Sequence, residues 1–261
     1  MRETYAKVIL QKKTARLRKE TGNQQLTSKL DPGLKPAEYF KHSIIRPMKL
    51  LIFSPIVLSL SVFIGLCFGC LYLLFCTYTL VFTELYHWDI GTDGLSFLGL
   101  GIGASLSLII FGLTSDRILK YKAGTGELKP EYRLLPMIPG SFFIPAGLFW
   151  YGWAAHARTH WIVPILGTVL VGFGYLPVII CITTYLVDAF VPYAASALAA
   201  SVIIRSIMGA VIPLAGRQMY AKLAFGWGNS LLAFITTALL PIPWLLYKYG
   251  ERMRKSHKIE L

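Results

Sequence analysis

The residue best placed to do chemistry is Arg205, the one charge in "SALAASVIIRSIMGAVIPLAG", 196–216. If this stretch crosses a bilayer, a guanidinium near its middle costs on the order of 2.5–3.5 kcal/mol. It would lie roughly 20 Å along the helix at 1.5 Å per residue, too deep to reach water by stretching back. Such a group must face a bundle interior, a water-filled cavity or a carboxylate. Two readings follow. Arg205 binds anionic groups or a carboxylate on a transport path, or it forms a buried salt bridge that locks the bundle. Glu84 closes one apolar stretch and Asp188 another. Either could carry a proton where burial disfavours its charged form. Either could equally be an interfacial charge in water, or, for Asp188, a helix-end contact. His156 and His160 are four residues apart, but no further ligand is near in sequence, and no metal site is predicted. Cys67 and Cys70 have redox-like spacing within an apolar run that lacks a second ligand pair, so packing is their expected role. There is no phosphate loop, no Gly-x-Ser-x-Gly elbow and no metalloprotease motif. The sequence predicts no enzyme and no cofactor.

The elements that must position these residues are membrane spans. Of 261 residues, 55% are hydrophobic and 15% charged, against about a quarter charged in soluble domains. Uncharged runs of about 18 residues or more read as crossings. Gly94–Ser115, Leu134–Ala155, Trp161–Val187 and Leu223–Tyr247 qualify. Leu50–Thr83 is longer than one crossing needs; its first residues, around Pro55, belong at the interface and its helix at 56–82. With 189–216, interrupted by Arg205, the count is six. The prediction is an all-α integral membrane protein. A basic segment at 1–49 precedes a six-helix domain at 50–247, and a basic tail follows at 248–261.

The net charge of +13 is distributed by topology. Twelve Lys/Arg precede the first span, five lie in the polar island 112–136 and five in the tail; the connections on the other side hold three. This asymmetry places both termini in the cytoplasm and argues for the lipid bilayer, not nucleic acid, as the partner. The N-terminus shows no secretory signal. "ETYAKVILQKKTARLRKET" could lie as an amphipathic helix on the membrane with Val8, Ile9, Leu10 and Leu17 on its apolar side, or remain a solvated loop. "GNQQLTSKLDPGLKP" reads as a linker. Within the spans, Gly99 and Gly103 form a GxxxG pair suited to close helix packing.

Several segments resemble the carboxy-terminal half of a fungal major facilitator superfamily transporter of the multidrug/proton antiporter branch. "GLTSDR", 112–117, resembles the degenerate second copy of the superfamily's Asp-Arg loop motif. "FTELYHWDIGTDGLSFLGLGIG", 82–103, resembles that branch's connection between the first two spans of this half. "KPEYRLLPM", 129–137, resembles its Pro-Glu-x-Arg-Leu stretch, and 184–200 with 205–234 is the most specific part. The resemblance implies two three-helix inverted repeats, 50–155 and 161–247, forming half of a twelve-span fold. It implies that Arg205 faces inward and that Asp116 and Arg117 sit in a cytoplasmic gate loop, where topology alone is the competing role. It also implies efflux of small amphipathic compounds, drugs or secondary metabolites, by proton antiport at the plasma membrane. "RETYAKVILQKKTARLRKETGN", 2–23, is similar to the loop that follows the sixth span in the family. A small-molecule substrate and either a missing amino-terminal half or a second copy are then the expected partners. The alternative is a truncated half that does not transport, or that regulates a full transporter.

Overall fold

A computed structural model of the chain describes residues 6–23, 25–28, 36–123 and 129–256. The chain divides into two units, 1–46 and 47–261. In the first, α1 (Ala6–Thr21) forms where the amphipathic helix is expected, with Ile9 and Leu17 exposed. The Arg18 Nε donates to the Leu26 carbonyl at 2.7 Å and folds the following turn back. The rest of the expected linker lies largely outside the described residues. α2 (Pro36–Phe53) carries the chain into the second unit, so part of the expected basic loop is helical.

The break near Pro55 falls where expected. Ser54 is an N-cap whose hydroxyl accepts from the Val57 N–H, and Pro55 occupies the first helical position of α3 (Pro55–Tyr86). α3 ends when His87 adopts the left-handed conformation (φ 56) and the Trp88 N–H returns to the Phe82 carbonyl at 3.1 Å. A short α4 (Ile90–Asp93) leads into α5 (Leu98–Ala123). The expected gate loop departs from prediction here: Asp116 and Arg117 are on helix, because nothing between Gly112 and Ala123 breaks it. α6 (Met137–Ser141) and α7 (Phe143–His156) form the next pass, followed by α8 (Ile162–Ala189).

α9 (Ala194–Leu239) is the largest departure. The expected connection at 217–222 is helical, and the chain turns instead at Ala224 (φ 55, ψ 176). The limb before Ala224 runs alongside α3 in the same direction: Gly65 meets Ile204, Gly69 meets Met208 and Ile212, and Gly216 meets Leu73. The limb after it runs antiparallel to α7, with Gly226 at His156, Ser230 hydrogen-bonded to Trp153 and Phe234 on Phe149. α10 (Pro241–Ser256) continues this descent, so the expected tail is helical to Ser256.

Among the described residues, five stretches are long and apolar enough to cross a membrane, the last, Val191–Arg254, being 64 residues. A crossing needs about 20. With the reversal at Ala224, the chain passes through the bundle six times. The passes divide into α3, α5, α6–α7 and then α8 and the two limbs of α9. The first helix of each trio packs in parallel on the middle helix of the other: α3 on the first limb, and α8 on α5. That exchange is the signature of two inverted three-helix repeats.

Apolar surface alone does not drive such helices together in lipid, so contact depends on close packing. Between α5 and α8 the backbones touch. A Cβ on Gly103 would lie 2.0 Å from the Val169 carbonyl oxygen, one on Gly172 2.3 Å from that of Leu100, and one on Gly99 2.4 Å from the Thr168 hydroxyl. Around α3 the packing is aromatic, Tyr78 meeting Phe97 at 5.1 Å and Tyr151 at 5.7 Å.

Candidate functional site

Three helices bring one aromatic and cationic cluster together near their midpoints. From the first limb of α9, Arg205 places its guanidinium over the Phe68 ring of α3, 5.1 Å from the centroid. Phe68 packs against Tyr72, their rings tilted with centroids 4.4 Å apart, and lies 6.4 Å from the Tyr175 ring of α8. At a site open to its surroundings such a cation–π contact contributes only about 0.5–1 kcal/mol. Among the described residues no carboxylate pairs with Arg205, and the Tyr175 hydroxyl is buried without a hydrogen-bond partner. Tyr72 is 41% exposed and Arg205 half-buried, so the cluster opens outward. Glycine makes room for it: Gly209, one turn beyond Arg205, lies against the Phe68 ring, where a Cβ would be 2.9 Å away.

From Tyr72 a weakly polar stripe runs along α3 through Cys76, Thr79 and Thr83, residues on one helical face. It leads to a cleft of about 690 Å³ between α3 and the first limb, lined by Thr79, Thr83, Glu84, Pro213, Arg217 and Tyr220 among others. Glu84 is exposed there. It shares the cleft with Arg217, and no ion pair joins them among the described residues. Beside the cleft, Thr79 donates at 2.5 Å to Asp93, a buried carboxylate whose other oxygen has no partner.

The opposite end carries ion pairs. Asp188 accepts from the Arg133 Nε, both half-exposed. Glu131, 3% exposed, accepts from the Arg254 Nε at 3.3 Å, and its second oxygen is buried without a partner. Lys129 donates to Glu251 at 2.6 Å. That hydrogen bond and the carboxylate's charge hold the Lys129 ammonium above the ordinary lysine range.

The three transport-path residues expected from sequence are therefore not one cluster: Arg205 is central, Glu84 at one end and Asp188 at the other. Gly99 and Gly103 sit in the α5–α8 crossing. Arg117 is exposed on α5, and the Asp116 side chain lies outside the described residues. Sequence reading missed Phe68, Tyr72 and Tyr175, which hydropathy counts as span residues. It also missed the buried carboxylates Asp93 and Glu131, which sit beside apolar stretches and read as loop charges. The recurrence of Tyr72, Cys76, Thr79 and Thr83 on one face of an apolar helix was the available signal. Among the described residues no group of His, Cys, Asp and Glu could hold a metal ion.

The Major Facilitator Superfamily family model matches residues 8–213. The chain belongs to the major facilitator superfamily. It is 56% identical to the MFS-type transporter atr4 of Stereocaulon alpinum, over 99% of this chain and 47% of that protein. It is 53% identical to the MFS-type transporter tndD of Aspergillus flavipes, over 98% and 49%, and 52% identical to penM of Penicillium rubens, over 100% and 52%. The chain spans about half the length of the curated relatives it matches. No solved structure matches it. Six apolar passes in two inverted repeats, on a superfamily sequence, make it an integral membrane protein with half of the superfamily fold.

Proposed function

We propose that this chain is the carboxy-terminal half of an exporter that moves small amphipathic organic molecules, drugs or secondary metabolites, across the plasma membrane in exchange for protons. Both termini then face the cytoplasm. The observation that carries the reading is Arg205, a cation at mid-membrane with no carboxylate partner among the described residues, on a face that opens outward. A charge so placed costs several kcal/mol unless something compensates it. A substrate between two half-transporters does so. The α3 stripe and the 690 Å³ cleft form its path toward one end. At the other end, the Arg133–Asp188 and Glu131–Arg254 pairs tie helix ends together, and Asp116 and Arg117 of α5 are the proposed gate residues. Asp93 and Glu84 are the candidates for proton loading beside the cleft. Gly99 and Gly103 fix the crossing against which these parts move.

The test is reconstitution. The purified 261-residue chain is placed in proteoliposomes alone, and together with the separately expressed amino-terminal half of the Stereocaulon transporter. Substrate-dependent proton flux across a broad compound panel is recorded. Flux from the pair supports export by proton antiport. Flux from the chain alone shows that two copies assemble. No flux in either preparation overturns the export reading.

A further inference from the structure

We infer that the Phe68–Tyr72–Tyr175–Arg205 cluster recognises a flat organic anion, a carboxylate borne on an aromatic or other conjugated skeleton. The inference rests on the export reading and names the substrate class of that site. Arg205 holds its guanidinium over the Phe68 ring at 5.1 Å, and among the described residues no carboxylate takes its N–H groups, which suit two oxygens side by side. The Tyr175 hydroxyl, buried and unpartnered, is a further donor within electrostatic reach of that charge. Phe68 and Tyr72, 4.4 Å apart, offer the adjoining apolar wall, with Tyr72 exposed to the incoming molecule.

The rival classes fit worse. An organic cation meets Arg205, and among the described residues no acidic side chain contacts the cluster to offset it. A neutral compound leaves the guanidinium and the phenol unsatisfied, the situation that makes buried polar groups costly. Inorganic phosphate has the charge but no surface for the rings. A carboxylate on a planar skeleton uses all four side chains at once.

The experiment titrates the purified chain in nanodiscs with three fluorescent probes of one shape: anthracene-9-carboxylate, its carboxamide and its trimethylammonium-methyl analogue. The carboxylate is expected to bind about tenfold tighter than the carboxamide, with the cation weakest. Arg205→Gln removes the preference. Arg205→Lys retains it at reduced affinity, which separates charge recognition from a folding defect. Tyr175→Phe weakens the carboxylate several-fold and leaves the carboxamide unchanged, and exposed Lys222→Gln changes nothing. Equal binding of the three probes by the native chain overturns the inference, as does a carboxylate preference that survives Arg205→Gln. If that preference depends on Arg205 while no preparation moves any compound, export falls and the site stands. If the paired halves export cations or neutral compounds and the preference is absent, the site falls and export stands.

Discussion

The α5–α8 crossing and the Arg205 cluster lie in one bundle, and α8 contributes to both. In the crossing, side chains are deleted so that backbones touch: Gly103 leaves 2.0 Å between a notional Cβ and the Val169 carbonyl oxygen. In the cluster, large side chains converge and stay only half-buried, around a cation with no carboxylate partner among the described residues and a hydroxyl with no hydrogen-bond partner. The difference teaches where stability and function separate in a lipid-embedded fold. Helix association rests on close contact because lipid supplies no hydrophobic drive, so the crossing has no tolerance. The cluster packs too, Gly209 opening space for the Phe68 ring, but it holds a buried hydroxyl with no hydrogen-bond partner.

Breaking the crossing should have the largest effect. Gly103→Val forces a side chain into backbone that cannot give way, and a loss of more than about 3 kcal/mol is expected. It is read as a collapse in the yield of monodisperse protein. A variant as stable as the native chain would show that the two helices do not depend on this contact.

A paired charge sharpens the contrast. Arg254→Ala strands the buried Glu131 carboxylate, and destabilisation by about 1–3 kcal/mol is expected from thermal unfolding in detergent. Arg205→Gln should do the reverse. It removes a half-buried cation that has no carboxylate partner among the described residues, so stability should stay level or rise by up to about 1 kcal/mol. A large loss would make Arg205 a structural lock. The smallest effect belongs to Lys129. Its ammonium is raised by Glu251, so the pair's contribution is complete below the free-lysine range near pH 10 and is lost only as the pH rises through the folded value. Lys129→Gln should therefore shift the midpoint little, and by the same amount at pH 6 and pH 8.

Much of the fold was legible because hydropathy and punctuation coincide. Ser54-Pro55 marks the start of α3, and the apolar runs mark the passes. What failed was charge used as a loop signal. Arg217 and Lys222 suggested a connection, yet the helix continues to Ala224, because a charge at a helix end can reach water without breaking backbone hydrogen bonds. The same holds for Asp116 and Arg117 on α5. Arg205 stood out in the sequence because its cost there is unambiguous. Its neighbours did not, since Phe68, Tyr72 and Tyr175 are separated along the chain and meet only through the pairing of α3, α8 and the first limb. Asp93 was hidden for a similar reason: a carboxylate in a short connection looks solvated until α3 brings Thr79 onto it.

The central claim is that Arg205 serves the transported molecule and not the fold. The most direct measurement is substrate-dependent proton flux in proteoliposomes that hold this chain with the amino-terminal half of the Stereocaulon transporter, native against Arg205→Gln, at matched assembly. The account predicts flux in the native pair and its loss in the variant, with the unfolding midpoint level or raised. Flux that persists undiminished in Arg205→Gln would contradict it.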